Sequence, residues 1–208
     1  IGSGLVGSEM CIRDRYNPIP LREKIKISCS SHKIAIVGDV VRFKGHHIVF
    51  EAMQSLPENS ELHVIGNLLD KKYLEQLQSF SIKCVYTGLI SDVANYLVEN
   101  QISLVIIPSI SPETFSLSMT ESWALGIPTI ATDDYGMKEI VEKYIPLYCD
   151  VILFNKGDVV DLVAKILNLY NDECLYRKVS DAVYCVIREH LNEGKFKKRL
   201  LNEISSII

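Results

Sequence analysis

Six short apolar runs rich in β-branched residues recur along this chain: KIAIVG (33–38), ELHVIG (61–66), IKCVYTG (82–88), SLVIIPS (103–109), PTIAT (128–132) and VILFN (151–155). Between them lie segments of helical period, among them KGHHIVFEAMQSL, DKKYLEQLQSF, SDVANYLVEN, LSMTESWALG and GMKEIVEKY. A strand that is apolar on both faces belongs inside a parallel sheet, and parallel neighbours need a crossover connection, which the helical segments supply. Right-handed crossovers in sequence build one architecture, an α/β fold with a Rossmann-like, doubly wound parallel sheet. After Phe154 the pattern turns helical, predicting one flanking helix and a terminal pair broken at Asn192, Glu193 and Gly194.

Composition narrows what such a sheet serves. With 208 residues, 48% of them hydrophobic, the chain can bury one substantial core. A net charge of −4 gives no broad basic field for a nucleic-acid backbone, so any phosphate contact has to be local. The six cysteines include no C-x-x-C pair, which argues against zinc and against a disulfide scaffold and favours a reducing cytoplasm. No apolar run approaches the length of a membrane span, which leaves room for a peripheral seat on the cytoplasmic face of a membrane.

The first fifteen residues stand apart. GSGLVG (2–7) has the spacing of a dinucleotide-binding turn, but one residue precedes it and a polar segment follows, where the motif needs a strand before and a helix after. Leu5–Arg15, LVGSEMCIRDR, resembles the in-frame translation of a sequencing-library adapter. On that reading residues 1–15 are an artefactual scar, natural sequence begins near Tyr16, residues 16–32 are a linker or the remnant of a preceding domain, and that domain is missing.

Doubly wound sheets bind ligands where strand ends, loops and helix starts converge. Gly38 closes the first strand and DVVRFKG follows it with Arg42 and Lys44; Pro108 and Ser109 close the fourth, whose loop carries Glu113 to a helix beginning near Ser116. A cation and a helix start facing one crevice suit a phosphate or diphosphate. Each of these residues also has an ordinary reading. Lys44 also reads as a solvated first-turn lysine, Glu113 as an exposed loop carboxylate, and Glu121 as the partner of Ser118 in a capping box. His46 and His47 read as exposed or half-buried helix positions, Asp133 and Asp134 as loop residues, and Leu117, Trp123 and Leu125 as core or near-core packing.

In order and spacing, the glycine-ended first strand, KG opening a helix, VIG, YTG, PS before a glutamate, a second glutamate eight residues on, ALGIP and GMKEIV resemble one family. It is the C-terminal, donor-binding half of retaining GT-B glycosyltransferases of family 4, over 33–171, with 172–208 as a helical extension. The resemblance implies transfer of a sugar from a nucleoside-diphosphate sugar with retention of configuration and without a metal or other cofactor. It implies that Lys44 contacts the diphosphate, Glu113 the sugar hydroxyls, and the backbone at Phe115, Ser116 and Leu117 phosphate or sugar. Glu121 then takes the ribose hydroxyls, Gly88 and Leu89 border the base, and the missing N-terminal half binds the acceptor, which leaves this fragment inactive by itself. Asp39 stands where the family usually has an arginine, and Arg42 is the substitute within reach. Thr114 and Ser116 stand where proline and glycine are common, and the second glycine often found after VIG is replaced by Asn67 and Leu68. Two other readings remain open, a GT-B nucleotide-sugar 2-epimerase and a non-catalytic nucleotide-sugar-binding domain.

Overall fold

The computed structural model describes residues 18–205, so the readings placed on residues 1–15 lie outside them. The strands are β1 (Lys33–Val37), β2 (Glu61–Ile65), β3 (Cys84–Gly88), β4 (Leu104–Ile107), β5 (Thr129–Thr132) and β6 (Leu153–Phe154). They form one six-stranded sheet in the order β3-β2-β1-β4-β5-β6, parallel throughout. This is the expected Rossmann-like, doubly wound sheet. Register follows the apolar pattern: Ile34 lies beside Leu62 and Leu104, and Ile36 beside Val64. Every residue of β4 and β5 is buried, whereas all of β3, at the sheet edge, is only half-buried.

The helices are α1 (His46–Met53), α2 (Lys71–Gln78), α3 (Val93–Glu99), α4 (Leu117–Ala124), α5 (Tyr135–Tyr144), α6 (Cys149–Ile152), α7 (Val159–Asn171), α8 (Glu173–Val186) and α9 (Glu193–Ser205). Their starts are written locally. Asp70, Asp92, Asp158 and Asp172 cap α2, α3, α7 and α8, each carboxylate accepting the N–H three residues on and satisfying a donor the helix itself leaves open. Helix α7 packs against α1 and α8 against α4, closing the two sides of the sheet over a core that includes Phe50, Trp123 and Phe154.

Two local expectations are corrected, and the segment before β1 finds a place on the domain. The run VILFN is not one strand: its first two residues end α6, and only Leu153 and Phe154 pair with β5. The terminal helices break at Asn192 alone, after a π-helical stretch Ile187–Leu191; its amide donates to the Ile187 and Arg188 carbonyls while its oxygen accepts from Lys195 N, so Glu193 and Gly194 are helical. The segment before β1 runs along α4 and α8: Ile19 is buried beside Leu191, Ile25 N donates to Leu125 O, and the Lys24 stem crosses Gly126 to reach Asp181.

Candidate functional site

The strand order reverses between β1 and β4, and their carboxyl ends, at Val37 and Ile107, open a crevice of the kind doubly wound sheets use for ligands. There lies a small recess of about 30 Å³, lined in part by Gly38, Lys44, His46, Ser109, Glu113 and Ser116.

Lys44 reaches it through a backbone device. Arg42–Lys44 form a 3-10 turn ended by Gly45 at φ 75°, which is also the residue before α1. A Cβ on Gly45 would stand 1.9 Å from the Pro108 carbonyl oxygen, so only glycine lets this turn lie flat on the loop after β4. The Phe43 carbonyl accepts Ile110 N at 2.9 Å and completes the clamp. Held this way, Lys44 Nζ lies 2.6 Å from Glu113 Oε1, which also accepts the Ser109 hydroxyl. The main chain of Glu113 is fixed from the far side, where its carbonyl accepts Gly136 N at 3.1 Å from the first turn of α5. The pair is therefore set by three loops before any ligand arrives. The Glu113 side chain is 15% exposed and that of Lys44 34%.

The loop then enters α4. Ser116 caps it by accepting Met119 N at 3.2 Å, which excludes the capping box between Ser118 and Glu121. Ser118 instead donates to the Val37 carbonyl and ties α4 to the end of β1. The N–H groups of the first turn have no acceptor within the helix, and the positive end of its dipole points at the recess.

The remaining predicted residues lie outside the recess lining. Glu121 is on the second turn of α4; burial pushes its carboxyl up, Arg22 opposes that, and Asp92 adds to it. Arg22 also lies 3.8 Å from Asp92. Gly88 ends β3 at φ 71° and Leu89 after it is 76% exposed. Phe115 is half-buried against the core. Arg42 is exposed, with its charge felt by His47 and Tyr73 on the α1–α2 side. Asp39 accepts both the backbone and side-chain N–H of Asn67, which joins the loops after β1 and β2. Asp133 pairs with Lys138 and Asp134 with Lys156. Trp123 and Leu125 are core, but Leu117 is 47% exposed, because the first residue of α4 faces outward at the strand ends. Among the described residues no three His, Cys, Asp or Glu side chains gather as a metal site.

His46 corrects the reading of an exposed or half-buried position: it is wholly buried. The signal was present in helical phase, since residues 46, 49, 50 and 53 share one stripe and all four are buried. Burial lowers its pKa to about 4, with the charges of His47 and Lys44 pushing the same way. Burial also lowers His47 and His63. The unfolded rings take up protons near pH 6.5 and the folded ones resist, so stability is full above that pH and falls as pH drops toward 4. For His46 alone the loss between pH 7 and pH 5 is about 2 kcal/mol. Urea unfolding at both pH values, compared with His46→Phe, measures it; equal acid losses in the two proteins would remove His46 as a source.

Comparison with known proteins places these observations. A family profile described as glycosyl transferases group 1 matches residues 20–184. The chain is 24% identical over 190 residues to a Bacillus subtilis (strain 168) protein bearing the name teichuronic acid biosynthesis glycosyltransferase TuaC, an alignment covering 90% of this chain and 45% of that one. Its fold is similar to that of Anabaena Alr3699/HepE, crystallised in complex with UDP and glucose, with TM-score 0.75 and 18% identity over 85% of this chain and 48% of that one. It is similar also to S. aureus TarM, with TM-score 0.71 and 19% identity over 88% and 37% of the two chains. The chain thus spans about half the length, or less, of these relatives.

Proposed function

The chain belongs to the glycosyl transferases group 1 family, of GT-B type, and from that premise we propose that it is the donor-binding half of an enzyme that moves a sugar from a nucleoside diphosphate to an acceptor with retention of configuration. The observation that carries this reading is the Lys44–Glu113 pair beside the start of α4, at the one place where the strand order reverses.

The chemistry follows from charge. Cleaving the bond between the sugar and the diphosphate leaves negative charge on the diphosphate, and donors fixed beforehand lower that barrier. Lys44 carries three N–H donors, of which Glu113 takes one, leaving the others for diphosphate oxygens. The first turn of α4 adds backbone N–H groups and its dipole. Together they meet the charge without calling on a metal. The carboxylate of Glu113 suits sugar hydroxyls, and that of Glu121, one turn further down, suits the paired hydroxyls of a ribose. Gly88 and Leu89 border the base, and the backbone from Phe115 to Leu117 closes on phosphate or sugar. The UDP bound in the HepE crystals supports a nucleotide sugar as the ligand class. The acceptor site belongs to the part of the enzyme beyond this chain's share of its relatives' length. Among the described residues no helix is long and apolar enough to cross a membrane.

Calorimetric titration of the 208-residue chain with UDP, GDP and ADP tests the reading. One of the three should bind, and Glu121→Ala should weaken it about tenfold, the loss of hydrogen bonds to a charged group. Equal affinity in that variant would remove Glu121 from the ribose.

A further inference from the structure

His46 is hard to account for as packing. Neither ring nitrogen meets a partner in full hydrogen-bond geometry, although the side chain is wholly buried, and among the described residues the only polar group drawn to the ring is the Gly38 backbone, which makes at most a poorly formed contact. A neutral imidazole offers one donor and one acceptor, and leaving either unmet in a buried place is costly, so an apolar residue would serve the core better. The ring nevertheless lines the recess that holds Lys44, Ser109 and Glu113, and it lies close to the backbone of Gly38 at the end of β1.

The rest of the recess shows what is short there. Lys44 is the one cation among its described lining residues, and Glu113 already holds it. Asp39, on the loop after β1, has its carboxylate engaged with Asn67 and contributes no donor, and Arg42, whose charge is felt by His47 and Tyr73, is not among the lining residues. An anion entering between Lys44 and the first turn of α4 therefore finds donors on those two sides. On the side formed by β1 and the start of α1, where Val37, Gly38 and His46 line the recess, the His46 ring is the polar side chain present.

We propose that His46 is a ligand-contacting residue of this recess, its single ring N–H donating to a diphosphate oxygen lodged between Lys44 and the start of α4. The proposal rests on the nucleotide-sugar reading of the site and adds to it a neutral donor. The ring stays uncharged through the physiological range because of its burial, so it contributes direction rather than charge. Keeping a buried donor for a ligand oxygen, where an apolar residue would pack at less cost, is a trade of stability for binding.

His46→Phe separates this from packing, because phenyl is a flat ring of similar shape that needs no partner. The variant should melt higher than the wild type by about 2–4 °C, for roughly 1 kcal/mol of relieved burial cost. It should bind the preferred nucleoside diphosphate about five- to tenfold more weakly, the equivalent of one neutral hydrogen bond. The fold loss should be the same for whichever of UDP, GDP and ADP bind measurably, since the contact is to the part they share; a loss confined to one base overturns the diphosphate placement. Unchanged affinity in His46→Phe, with Lys44→Ala weakened, overturns the role of His46 and leaves the site standing. Unchanged affinity in both overturns the site and His46 with it. A reading that needs no variant is the ¹⁵N spectrum of the wild-type ring: whichever of UDP, GDP and ADP binds should shift the protonated ring nitrogen of His46, and a ring signal unmoved at saturation overturns the contact.

Discussion

On the proposed donor-binding role, Lys44→Ala should lower turnover of an enzyme that contains this chain by about 10²-fold or more, the scale on which a fixed group facing developing charge acts. The effect is large because the lysine is held in place before the ligand comes. The clamp of Phe43 on Ile110 and the pairing with Glu113 set its Nζ at the recess, so no ordering has to happen as the diphosphate departs. Lys44→Met keeps the stem and removes the charge, and should lose nearly as much. In the 208-residue chain the same variants should weaken nucleoside diphosphate binding by calorimetry, with folding intact, since a pair between a 34% exposed lysine and its neighbour contributes little to stability. Turnover within threefold of wild type would end the case for Lys44 as the diphosphate's cation.

Gly45→Ala carries the second large effect, and it falls on stability. Two costs coincide at this residue. A side chain at φ 75° adopts a left-handed conformation worth about 1–2 kcal/mol. Its Cβ would also stand 1.9 Å from Pro108 O, so turn and loop must separate, at a further cost of about 1–3 kcal/mol. Urea unfolding should register a loss of about 3 kcal/mol. Gly157→Ala is the control: Gly157 has nearly the same φ, 78°, with nothing within 4 Å of its Cβ, and should lose only the first cost. Equal losses at the two glycines would show that the turn does not press on the loop. The separation should also withdraw Lys44 from Glu113 and weaken nucleotide binding.

Much of this protein was legible in its residues. The strands of the sheet announce themselves because a buried parallel strand must be apolar on both faces, and β-branched runs such as KIAIV and LVII meet that demand by themselves. Helix starts were legible for the same local reason, an aspartate or serine ahead of each of α2, α3, α4, α7 and α8. VILFN misled because a short apolar run suits a buried helical turn as well as a strand, and only its neighbours decide between them. Leu117 misled because an apolar residue at a helix start is buried only if something covers it.

The site divided along the same line. Lys44, Glu113 and Ser116 could be named from spacing, since loops after parallel strands all open at one end of a doubly wound sheet. That Glu113 Oε1 is shared by Lys44 and Ser109, that Gly45 must be glycine because Pro108 lies against it, that Asp39 is bound to Asn67, and that His46 is buried with no well-formed partner are contacts between segments far apart in the chain. The sequence by itself determined the elements, their order and the end of the sheet at which Lys44, Glu113 and Ser116 gather, because each depends on propensity and periodicity within a short window. Only the tertiary structure decided which polar groups are already satisfied and which are left to meet a ligand, because satisfaction depends on what a distant segment places within hydrogen-bond reach.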